Sequence, residues 1–151
     1  MRTILGIFVG AILLIAPLVY AQDGNALVQR TVKATLEQSE ASLVQALESN
    51  SEGLRLSAAN TVRQLKERYP ERSFSSLVVP LMRIVKDEAA EPSTRVVAAI
   101  ALHGLHSAIG DFAIARTARF TDSPRVKHVC SWLAYYRGLE GSPELSARSV
   151  G

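Results

Sequence analysis

Cysteine is almost absent from this chain of 151 residues, and the one present, Cys130, leaves nothing to pair with. An exported domain that relied on disulfides would carry an even set, so stability must come from packing. Aromatic residues make up 6% and charged residues 21%, with 17 Lys and Arg against 14 Asp and Glu. A balance that close gives no grounds for polyanion binding, and no nucleic-acid partner is expected. No glycine-rich phosphate loop occurs, nor a serine flanked by glycines in a strand-turn-helix elbow, so the common nucleotide and hydrolase motifs are missing. No segment alternates polar and apolar residues with period two, which removes the strand signature and predicts an all-α fold.

What the chain does have begins at its amino terminus. Arg2 is followed by an uninterrupted apolar run from Ile4 to Ala16, then Pro17, and then Val19-Tyr20-Ala21 with small residues at the cleavage-determining positions. That order predicts a secretory signal peptide over 1–21, cut after Ala21, and a periplasmic or secreted mature chain. The rival is an uncleaved membrane anchor, although a span wants about 20 apolar residues and the run reaches that only by including the cleavage region. A membrane is a partner only in that case. Cleavage removes Arg2 and leaves 16 basic residues against the same 14 acidic ones.

Helical periodicity covers most of the remainder. After a polar lead, Gln22 to Asn25, the stretch Ala26 to Ser49 has neither Pro nor Gly and reads as one long helix or two with a bend near Ser39. Further helices are expected at about 54–65, 74–87, 93–105, 111–120 and 124–139, with a loop over 69–73. The predicted division is a capping helix over 22–40, a repeat domain over 41–139 and a flexible tail over 140–151.

A short pattern recurs within that division. A turn is followed by a cationic residue, then by two small residues and apolar ones at helical spacing: Arg55 with Ala58-Ala59, Arg95 with Ala98-Ala99, and Lys127 with Cys130-Ser131. Recurrence of a helix-sized unit at roughly 30 to 40 residues predicts a solenoid, since one such unit cannot bury its own apolar face. Cys130 occupies the small-residue position and reads as a packed hydrophobe rather than a reactive thiol.

Pro80-Leu-Met-Arg-Ile-Val-Lys-Asp87, matched by Ser42 to Ser49 at an offset of 38, together with the Pro-x-x-Arg start at Pro92 and the Pro-Arg-Val-Lys start at Pro124, resembles HEAT-like repeats of the short bacterial type. The resemblance covers about 41–136. It implies a short α-solenoid of about three helix pairs whose inner face holds a partner. Three departures stand: Glu52 replaces the first Pro, the first helix of the third copy is poorly matched, and the acidic residue that usually faces the basic one is out of register. Some HEAT-like hydroxylases hold iron through His-Glu pairs, but here Gly104, Ser107 and Val129 follow the three histidines.

Candidate chemistry is sparse. His103 and His106 lie three apart on one predicted helix, with His128 on the next copy, yet no carboxylate or thiolate sits at ligand spacing beside them. No metal site, cofactor or catalytic residue is expected, and the chain is read as a non-enzyme. The positions opposite the small-residue seam fall at i, i+4 and i+7. They are Leu56, Asn60 and Arg63, then Val96, Ile100 and His103, then His128, Trp132 and Tyr135. Apolar and aromatic in the second and third copies, that array predicts a recognition face for a protein or peptide through Val96, Ile100, His103, His128, Trp132 and Tyr135, provided the tail does not cover it. An accessory subunit or chaperone that holds a small ligand or cofactor on the same face is the alternative.

Overall fold

The structure is a computed structural model that describes residues 16–141, and all regular structure among these residues is helical. In order, the helices are α1 (Ala16–Leu47), α2 (Glu52–Arg68), α3 (Val78–Lys86), α4 (Pro92–Gly104), α5 (Ala108–Phe120) and α6 (Pro124–Gly141), with a 3-10 turn at Ser75–Leu77 before α3. Most of the expected signal segment and nearly all of the expected tail lie outside the described residues. Among the described residues no helix is long and apolar enough to cross a membrane.

Two compact units divide the chain between Gln38 and Ser39. The first carries most of α1, where Val28 and Val32 are exposed, the Thr35 hydroxyl donates to the Thr31 carbonyl at 2.9 Å, and Lys33 pairs loosely with Glu37 at 3.9 Å. The polar lead, Gln22 to Asn25, is part of this helix. Helix propagation adds a hydrogen bond per residue, so one glycine, at a cost of about 1 kcal/mol, does not stop it. Of the two expectations for 26–49, one long helix or two, α1 is the single helix.

The second unit holds the core. Local signals set its helix ends. Ser51 caps α2 by accepting from the Leu54 N–H at 3.4 Å, and α2 stops two residues short of Pro70. Pro92 and Pro124 each open a helix, where a missing N–H costs nothing. The expected helix over 74–87 begins instead as a 3-10 turn, because Pro80 has no N–H to give the Ser76 carbonyl. Past that point α3 is strongly amphipathic and buries Val78, Pro80, Leu81, Ile84 and Val85. Helix α5 starts at Ala108, a turn earlier than its sequence suggests, and Gly110 lets it approach α4: a Cβ there would sit 2.8 Å from Leu102 Cδ1.

Contacts follow a regular order. Helix α4 packs on α2 and on α6, α5 packs on α3, and the adjacent helices α3 and α4, like α5 and α6, lie against each other. The last turns of α1 join the same core through Leu43, Val44, Ala46 and Leu47, and Glu40 accepts from Arg72 at 2.7 Å and from the Ser76 hydroxyl at 2.9 Å. Leu77, Leu81, Val85, Leu102, Ile114 and Val126 are fully buried, each side chain of this kind contributing about 1.5–3 kcal/mol on leaving water.

The recurring cationic residue has a structural use that its sequence context does not announce. Arg95 is only 1% exposed. Its Nε donates to the Val85 carbonyl at 3.1 Å, its two terminal nitrogens donate to the Glu88 carboxylate at 2.7 and 2.6 Å, and one of them also donates to the Thr121 hydroxyl at 3.1 Å. One guanidinium thus ties the end of α3 to the end of α5. Arg55, at the equivalent position of α2, is held differently, by Glu52 on its own helix and by Asp87 at 3.6 Å.

Candidate functional site

Helices α2, α4 and α6 share one rotational phase. Ala58, Ala98 and Cys130 are buried, as the small-residue seam requires. Burial pushes the Cys130 thiol up to about 11, which keeps it protonated and suits a packing role. On the opposite side, Leu56, Asn60, Arg63, Val96 and His103 are half-buried and His128 is exposed. Ile100 is 39% exposed, Trp132 52% and Tyr135 62%. Of the six residues singled out in the sequence, Ile100, His128, Trp132 and Tyr135 are thus exposed, while His103 is half-buried and Val96 packs against the core.

Tyr136, absent from that set, completes the aromatic part. It follows Trp132 by four positions and its ring centroid lies 4.3 Å from the indole, while Tyr135 meets Tyr136 edge-on at 6.4 Å. The i, i+4 spacing was the available signal. A rigid aromatic cluster offers area at little conformational cost, and phenol hydroxyls add polar tips.

Beside it, the two histidines take part in an ionic knot at the junction of α4, α5 and α6. The Arg137 Nε lies 3.1 Å from Asp111 Oδ2, one terminal nitrogen donates to His106 Nδ1 at 2.8 Å and the other to the His103 carbonyl at 2.9 Å. Guanidinium only donates, so His106 Nδ1 is the acceptor in this pair. His103 Nδ1 is 3.9 Å from Asp111 Oδ1. His106 itself has φ 54°, a left-handed residue just past the end of α4 where glycine is usual. Among the described residues no three His, Cys, Asp or Glu side chains converge as a metal site would need.

Between α2 and the end of α4 runs an open groove of about 420 Å³, with Arg63, Lys66 and Glu67 on one wall and Ile100, His103 and His106 on the other. Arg63 is paired with Glu67 at 2.8 Å and the Lys66 ammonium donates to the Arg72 carbonyl at 3.1 Å, so the cationic rim is held in place. An apolar floor under oriented charges can seat a side chain and fix its polar neighbour. No family model matches the chain, and neither a curated protein nor a solved structure matches it.

Proposed function

We propose that this chain is an exported, non-enzymatic HEAT-like α-solenoid of about three helix pairs that binds a protein or peptide segment along its inner helical face. The observation that carries the reading is the exposure of Ile100, Trp132 and Tyr135 on the side of α4 and α6 opposite the buried small residues. Large apolar side chains left in water on one contiguous face mark an interaction surface more often than chance exposure does. The order of helix contacts, α2 to α4 to α6 and α3 to α5, supports the solenoid part.

Trp132 is the only tryptophan, so its emission reports on this face directly. Peptides selected from a random phage-displayed library against the protein should shift or quench that emission, and Ile100→Asp should abolish both binding and the spectral change while leaving the circular dichroism intact. Selected peptides that bind the wild type and Ile100→Asp equally refute the assignment.

The groove beside His103 favours a second reading, in which the same face holds a small ligand as an accessory subunit or chaperone. Native mass spectrometry of protein purified without denaturation separates the two. A stoichiometric small adduct lost on unfolding selects the carrier, and its absence together with peptide binding selects the peptide reader.

A further inference from the structure

The outward side of α5 presents a second surface, distinct from the proposed recognition face. At 100° per residue, Ile109, Phe112, Arg116, Arg119 and Phe120 fall within an arc of about 100°. All five are exposed, Phe112 by 68% and Phe120 by 73%. The arc carries no carboxylate: Asp111 lies off it, half-buried and paired with Arg137 at 3.1 Å. Arg125 and Lys127 are exposed at the start of α6, and Asp122 in the turn before it is the nearest exposed acid in sequence. Arg116 lies over the Phe120 ring at 5.6 Å, so cation and aromatic stand together on the surface.

We propose that this face docks on an anionic lipid bilayer. Phenylalanine has no polar handle for water or for a hydrogen-bonding partner, and its rings gain most by entering the headgroup–acyl boundary. The arginines between them can stay at phosphate depth with their stems along the apolar surface. An acidic protein would be attracted by the same charges. A protein core contact, however, calls for a shaped recess around each ring, and the arc stands out on the outer side of a single helix. The charge of the patch opposes that of an anionic leaflet, and each basic side chain near such a surface raises partitioning several-fold.

The experiment uses the full chain with Phe112→Cys, labelled with the environment-sensitive dye NBD. Cys130 is buried and its thiol stays protonated, so labelling is confined to the introduced thiol. Vesicles of phosphatidylcholine with 30% phosphatidylglycerol are compared with pure phosphatidylcholine. A control label goes at Val79→Cys on the exposed side of α3. The expected result is a blue shift of the 112 label with the anionic vesicles only, none at 79, and at least about tenfold weaker partitioning in Arg116→Glu with Arg119→Glu or in 0.5 M NaCl. Circular dichroism of the charge-reversed variant checks that its helices persist. A label that stays in water while the chain sediments with vesicles overturns the proposal and points to another segment as the membrane contact. Equal shifts with both vesicle types overturn the anionic part. A shift that grows with protein concentration in the absence of lipid, or appears with a poly-glutamate probe but not with vesicles, overturns it in favour of a protein partner.

Discussion

Helices α4 and α6 carry the same local pattern and meet different neighbours. In α4 the cationic position is Arg95, buried and bonded to Val85, Glu88 and Thr121, and the second small residue, Ala99, is fully buried. In α6 the corresponding residues are Lys127 and Ser131, and both are exposed. The first small residue, Ala98 or Cys130, is buried in both. The first small position is thus built alike in both helices, while the cationic and second small positions are buried and clasped in α4 and open to water in α6. The change of residue type tracks the change of neighbour: a bidentate guanidinium is used where planar geometry and desolvation occur together, and lysine where water is at hand.

The sharpest way to break this comparison is to remove the two cations in turn. Arg95→Ala strips the Val85 carbonyl and the Thr121 hydroxyl of their donor and leaves a cavity, and should destabilise the fold by about 3 kcal/mol in urea unfolding, the low end for a broken buried pair because Glu88 can reach water. Lys127→Ala should stay within about 0.5 kcal/mol. Similar losses from both would mean that the clasp does not distinguish α4 from α6. The seam, in contrast, should answer alike in both helices. Ala98→Leu and Cys130→Leu should each overpack it and cost about 1–3 kcal/mol, with Asn60→Ala on the opposite side near zero.

Acid sharpens the same point without changing volume. Hydrogen bonds from Arg95, opposed by some desolvation and aided by Thr121, hold the Glu88 carboxyl below the usual carboxylate value of 4.5. Burial pushes Glu52 upward, but hydrogen bonds from Arg55 and from the Glu91 N–H at 2.9 Å more than offset it, so this carboxyl too is lowered. A carboxyl with a depressed folded pKa binds its proton less readily folded than unfolded. Its contribution is complete above about pH 4.5 and is lost as pH falls through the folded value. The Glu88→Gln variant should therefore melt below the wild type at pH 7, with the gap closing below about pH 4.5. A gap that persists into acid would show that Glu88 acts through something other than its charge.

Much of this architecture was legible from spacing alone. The all-helical fold, the starts of α2, α4 and α6 and their shared phase follow from periodicity, capping and the recurrence of small residues, which are local or repeated signals. What was hidden depends on non-local neighbours. Arg95 looks like any surface cation until α3 and α5 bring Val85, Glu88 and Thr121 around it, and the Arg137–Asp111–His106 knot joins residues 26 to 31 apart in the chain, which no spacing rule brings together. The 3-10 turn before α3 was in principle readable from the missing N–H of Pro80. Phe112 and Phe120 looked like ordinary helix residues, and only burial shows that they face water.

A modest effect falls on the side chain most visible in the sequence. Trp132 is half-exposed and its ring partner is Tyr136, so Trp132→Ala forfeits one aromatic pair and part of a surface contact, about 1 kcal/mol. Leu133, the next residue, is buried against the core, and its truncation to Ala should cost several times more. Adjacent positions on one helix thereby separate the two sides of α6. Combined with Ile100→Asp on α4, the Trp132→Ala change should lower the melting temperature by only about 5 °C, keep the circular dichroism of the wild type and still remove peptide binding, because the two side chains would hold a partner more than the fold. If Trp132→Ala alone instead costs as much as Leu133→Ala, the indole is covered by chain outside residues 16–141 and the exposed face of α6 is an internal contact. Helix α6 would then resemble α4 after all, with the aromatic cluster doing for α6 what Arg95 and Ala99 do for α4.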